Sequence, residues 1–102
     1  MRFVEQNLFH CWLAADLNLQ VLTSRLTEMG RYSESVEFGK LHLKLLSVFD
    51  DGCRDFYSAH KFFAALALAH NYRKLEDKAN CLEAIRQVFH FGIQIKSADN
   101  KR

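Results

Sequence analysis

The sequence predicts an all-α fold. Three observations carry this. The chain has no proline and only four glycines, so helix is permitted almost everywhere. Apolar residues recur at helical spacing through Val4, Leu8, Cys11, Trp12, Ala15, Leu19, Leu22 and Leu26. Polar breaks at Met29-Gly30, at Asp50-Asp51-Gly52-Cys53-Arg54-Asp55 and at Glu76-Asp77 divide the chain into four such stretches.

The first stretch, from about Phe3 to Met29, reads as one helix of about 40 Å. Asp16 is a possible cap for a second helix, but nothing forces a break there. Gly30 suits the left-handed position just past a helix. The second helix spans about Tyr32 to Phe49. Val36, Leu41, Leu43, Leu45, Leu46, Val48 and Phe49 make it apolar on more than one side, so more than one face needs cover. Glu37 can pair with Lys40 or Lys44 on the wet side. Asp55 suits the N-cap of a third helix, about Phe56 to Leu75. The fourth runs from about Lys78 to Lys96. Very short connections make neighbouring helices antiparallel. The expectation is one domain over residues 1–97, with hairpins at 3–49 and 55–96, and a frayed tail at 98–102.

Composition narrows the function classes. Apolar residues make up 49% of the 102, which excludes a disordered tail. Fourteen basic and 12 acidic residues are interspersed, so no dedicated nucleic-acid stripe stands out. No apolar run approaches the roughly 18 residues that a membrane span needs. Glu5, Gln6, Asn7 and His10 interrupt the N-terminal stretch, which makes a poor signal peptide. Cys11, Cys53 and Cys81 are odd in number and widely spaced. They read as free thiols in a reducing, cytoplasmic setting.

A 46-residue internal offset lays Gly30-Arg31-Tyr32-Ser33-Glu34-Ser35 on Glu76-Asp77-Lys78-Ala79-Asn80-Cys81. Leu22 then matches Leu68, Thr23 matches Ala69, and Leu26 matches Tyr72. At these residues the chain resembles the tetratricopeptide repeat (TPR) family. That family's pattern runs from a large residue through Leu-Gly or Leu-Ala to a Tyr three residues on. Gly-x-Tyr follows at the turn, with a small residue three after it. Leu68-Ala69-x-x-Tyr72 fits the first part, Gly30-Arg31-Tyr32 the turn, and Ser35 and Cys81 the small position. Small residues there permit close helix approach, and Tyr32 and Tyr72 fill gaps between layers. The repeat exceeds the family's usual length of about 34. Gly39 stands where the family prefers an aromatic, His42 where it prefers Ala, and the closing proline is absent. The resemblance covers roughly Leu19 to Ile95. It implies a TPR-like right-handed array of two hairpins; an ordinary four-helix bundle is the alternative.

In that reading the first helix of each hairpin lines a concave groove, with Leu17, Gln20, Ser24 and Thr27 from the first repeat. Phe63, Leu66, His70, Arg73 and Lys74 come from the second. Chaperone-binding members hold a terminal carboxylate with Lys and Asn; Gln20 and Ser24 occupy those positions, so that clamp is not implied. An apolar floor with a basic rim suits an acidic or amphipathic peptide. A solvated helix end explains Arg73 and Lys74 equally simply.

Other constellations point to little chemistry. His10, His42, His60, His70 and His90 include no i, i+4 pair, and no Cys-x-x-Cys exists, so no metal and no cofactor is expected. The histidines read as surface or partly buried. Cys81 reads as core filling and Cys53 as a loop thiol beside Arg54. Glu76-Asp77 and Asp50-Asp51 read as turns and caps rather than acid–base pairs. No catalytic residue is expected. Phe89 and Phe91 lie about 200° apart on one helix. With Ile93, Ile95 and Trp12 they suggest an association patch, taken as Trp12, Phe89, Phe91 and Ile95. The functional expectation is a scaffold or adaptor that binds a peptide, a helix or another copy of itself. The alternative is a small regulatory bundle touching nucleic acid through Arg73, Lys74 and Arg86.

Overall fold

The computed structural model describes residues 3–48 and 54–100. They form four helices: α1 Phe3–Glu28, α2 Tyr32–Val48, α3 Arg54–Lys74 and α4 Lys78–Asn100. The fold is all-α. Helix α1 is continuous through Asp16, which caps nothing: its side chain is fully buried. Helix α3 begins at Arg54, so Asp55 lies within its first turn rather than before it. Helix α4 passes the expected end at Lys96 and includes residues 97–100, because no proline or glycine follows Gly92 to stop it. Phe49 and the loop residues up to Cys53 fall outside the described residues, as do Lys101 and Arg102.

The 46-residue offset is written into the backbone. Gly30 N–H donates to Thr27 C=O and Arg31 N–H to Leu26 C=O. Glu76 N–H donates to Arg73 C=O and Asp77 N–H to Tyr72 C=O. Both sets are the paired 5→2 and 6→1 bonds of a Schellman motif. Its left-handed residue is Gly30 (φ 74°) in the first turn and Glu76 (φ 58°) in the second. Just after the first turn, Arg31 and Glu34 form an exposed ion pair. The hydrogen bond from Arg31 holds the Glu34 carboxyl below its ordinary range, with desolvation opposing it and the guanidinium charge adding to it. What the pair contributes is present above that range and fades as pH falls through the lowered value. Exposure to solvent keeps the contribution small.

The helices pack in chain order, α1 on α2, α2 on α3 and α3 on α4. Hydrogen-bonded pairs give their directions. Asp16 meets His42 and Thr23 meets Ser35, so α1 and α2 run antiparallel. Asn71 meets Ser35, and Leu68 meets Gly39, so α2 and α3 do the same. Ser58 with Gln94 and Ala69 with Cys81 repeat the relation for α3 and α4.

One apolar cluster joins Val36, Leu68, Ala69, Tyr72 and Ala84, with Leu43 and Cys81 packed against it. A second joins Leu46 and Ala64, flanked by Leu13, Leu43 and Leu45. Gly39 controls how closely α3 seats on α2. A Cβ there would lie 2.9 Å from Leu68 Cδ2 and 3.3 Å from its Cγ. Leu68 is itself buried, so it has little room to yield.

The two turns make opposite predictions. A Cβ on Gly30 would meet nothing within 4 Å, so Gly30→Ala costs only left-handed strain. A loss of about 1 kcal/mol is expected. Glu76→Gly relieves the same strain and should gain up to about 1 kcal/mol. Urea unfolding of both variants measures the two signs.

Candidate partner-binding cleft and the polar knots behind it

Two buried polar clusters fix the helices that form the candidate site. In the first, the Asp16 carboxylate of α1 is completely enclosed. His42 Nε2 of α2 lies 2.5 Å from Oδ1, and His60 Nδ1 of α3 lies 3.0 Å from Oδ2. Gln20 Nε2 donates to Oδ2 at 3.2 Å. Three helices thus converge on one carboxylate. Donors on both oxygens offset the large cost of burying it.

In the second cluster, Ser35 Oγ of α2 donates to the Thr23 carbonyl of α1 at 2.9 Å. It accepts from Asn71 Nδ2 of α3 at 2.9 Å. Asn71 Oδ1 accepts from Thr27 Oγ1 of α1 at 3.0 Å. Asn71 and Ser35 are both fully enclosed, and each has its partners. The knots lie 11 residues apart on α1, about 16 Å along its axis. Both hold α1 parallel to α3 with α2 behind them.

These knots correct several expectations. His42 is neither exposed nor partly buried; it is enclosed because it serves Asp16. Gln20 does not face the groove, because its amide is drawn back to Asp16. Ser35 sits at its small position as a hydrogen-bonding centre and not only as a spacer.

The parallel α1 and α3, with α4 beside them, enclose a cleft of about 680 Å³. Thr23, Ser24, Thr27 and Glu28 line it from α1. Phe63, Leu66, His70 and Arg73 line it from α3, and Cys81 and Ile85 from α4. Ser24, Phe63, Leu66, His70 and Arg73 are therefore brought together, whereas Lys74 and Leu17 lie outside the lining. The floor is apolar and wet: Phe63 and Leu66 are both exposed. Arg73 and Lys74 lie in the last turn of α3 and form no ion pair among the described residues. Glu28 is the acidic residue of the lining.

The association patch is redrawn. On α4, Leu82, Ile85, Phe89 and Ile93 form the exposed apolar stripe, and Phe89 and Ile93 are about two-thirds exposed. Their spacing of three, four and four residues puts them on one face. Phe91 and Ile95 point the other way and are half-buried. Phe91 receives the Lys61 ammonium over its ring at 5.7 Å. The side chain of Trp12 lies outside the described residues. Arg86 sits 3.6 Å from Glu83.

Among the described residues no cluster of His, Cys, Asp or Glu is arranged to hold a metal ion. No described helix is long and apolar enough to cross a membrane.

The knots are testable through stability. Asp16→Ala leaves His42 and His60 without their common acceptor and opens a polar void. A loss of about 3 kcal/mol is expected, measured by urea unfolding. Gln20→Ala removes only one of several donors and should cost about 1 kcal/mol or less. No family model, curated protein or solved structure matches this chain.

Proposed function

We propose that this chain is a protein-interaction adaptor that seats an amphipathic helix with acidic character on its α3–α4 side. The TPR-like reading of the repeat belongs to the same proposal. The observation that carries it is the unpartnered apolar surface of Phe63, Leu66, Leu82, Ile85 and Phe89, with Arg73 at its rim and Lys74 the next residue of the chain. Fixed helices with exposed anchors suit the binding of a preformed helical face. The exposed Arg73 guanidinium at that surface, with the exposed Lys74 next to it in the chain, favours carboxylates by direct attraction and faster encounter. Nothing similar favours nucleic acid: Arg86, the further cation of that reading, lies 3.6 Å from the carboxylate of Glu83.

The test uses a panel of synthetic amphipathic helices, acidic, neutral and basic, titrated calorimetrically into the full chain. The acidic members should bind most tightly, more weakly at high salt. Arg73→Glu with Lys74→Glu should weaken them at least tenfold with helicity unchanged. Equal binding of all three classes, or an unaltered affinity in the double variant, rejects the charge assignment. Absence of any binding rejects the adaptor reading.

A further inference from the structure

The internal repeat says what kind of helix the α4 stripe accepts. At the 46-residue offset Val36 corresponds to Leu82, Gly39 to Ile85 and Leu43 to Phe89. On α2 these positions are the seat of α3: Val36 and Leu43 pack with Leu68 and Tyr72, and Gly39 lies beneath Leu68. On α4 the same positions are open. Val36 is 4% exposed, whereas Leu82 is 55% and Phe89 67% exposed. The surface α2 uses to bind a helix within the chain is thus presented again by α4.

The new seat has a different shape. Even a Cβ at Gly39 would press on Leu68, and the corresponding residue of α4 is Ile85. A helix seated on α4 as α3 is on α2 must therefore carry a small residue where α3 carries Leu68. The polar knot changes likewise. Asn71 meets Thr27 and Ser35; the corresponding residues are Arg73 and Cys81. Three residues past its small residue, the incoming helix faces a guanidinium. His60 meets Asp16, whose counterpart is Phe62, and His42 corresponds to Val88. Eight residues before the small residue, the incoming helix faces apolar groups.

We infer that α4 docks a partner helix, antiparallel to itself, with an apolar residue, a small residue eight positions later and a carboxylate three positions after that. This rests on the adaptor reading and fixes its register. A second copy stacked head-to-tail does not meet the requirement. Its α1 would bring Leu22 to Ile85 and Arg25 to Arg73, bulk against bulk and cation against cation.

A helix-stapled peptide of residues 58–75 is the probe, in its own sequence and with His60→Leu, Leu68→Ala and Asn71→Glu. Helicity is checked by circular dichroism, and each peptide is titrated into the full chain. The substituted peptide should bind at least tenfold more tightly than the unsubstituted one. Ile85→Ala should reduce the preference for Ala at position 68, and Arg73→Glu should abolish that for Glu at 71. Phe89→Asp, or Phe89→Gln if that variant folds poorly, should weaken the substituted peptide at least tenfold. Equal affinity of the two peptides, preferences unmoved by Ile85→Ala and Arg73→Glu, or binding that survives both Phe89 changes overturns the register. If the acidic panel helices bind while these peptides do not, the register fails and the adaptor reading stands. If neither binds, both fail. Head-to-tail association of the chain alone in sedimentation, lost in Phe89→Asp, overturns the choice of a foreign helix.

Discussion

The buried carboxylate of Asp16 is the constraint on which the placement of α1 depends. An enclosed charge is tolerated only where donors surround it, and here they come from His42 and His60 on two other helices. Among the described side chains of α1, Leu26 is buried and apolar. Directional bonds at Asp16 and at Thr23–Thr27 tie the helix to α2 and α3. Directional bonds specify register more sharply than apolar packing, which tolerates sliding by a turn. The α1–α3 pair can then be parallel and well placed while sharing little direct contact, and the cleft is what lies between them.

Among the described residues, the second hairpin does not repeat these two knots at the matching positions. Cys81 stands where Ser35 does and reaches only the Ala69 carbonyl, at 3.5 Å. Phe62 and Val88 stand in place of Asp16 and His42. Polar groups are used where a third helix closes the cluster. Where α4 meets no further helix, the corresponding residues are apolar or, at Arg73, long and charged. An unsatisfied Asp or Asn at those places would have no partner within the chain. The difference between the two repeats follows from what each has behind it.

Much of this architecture was legible in the sequence. Helix positions followed from apolar spacing and the absence of proline, and Gly30 marked its turn. The offset of Gly30 on Glu76 matched the two turns, although Glu76 itself is an uncommon residue for a positive φ. The departures from the repeat pattern were also signals: Gly39 is small because Leu68 lies over it, and His42 is polar because Asp16 needs it. The Asp16 cluster itself was not legible. Its members are 16, 42 and 60 in sequence, and only the helix packing brings them together. Asp16 offered a cap because aspartate suits that position, although nothing forced a break there. Gln20 was assigned to the groove from the repeat resemblance, which locates a face but not the side chain's partner.

The fourth helix shows where periodicity fails most plainly. Apolar residues lie on two of its faces, and their size alone does not say which face is inner. Phe91 and Ile95 pack inward because they continue the row of Ala84 and Val88 toward α3. Phe89 looks like an equally good core residue, yet it lies on the row of Leu82, Ile85 and Ile93. Comparison with α2 resolves the ambiguity, because in α2 the matching row is covered by α3. A large apolar residue at Ile85 would be pointless on a surface meant for water and obstructive in a copy of the α2 seat. It is consistent with a seat shaped for a helix that α3 itself does not resemble.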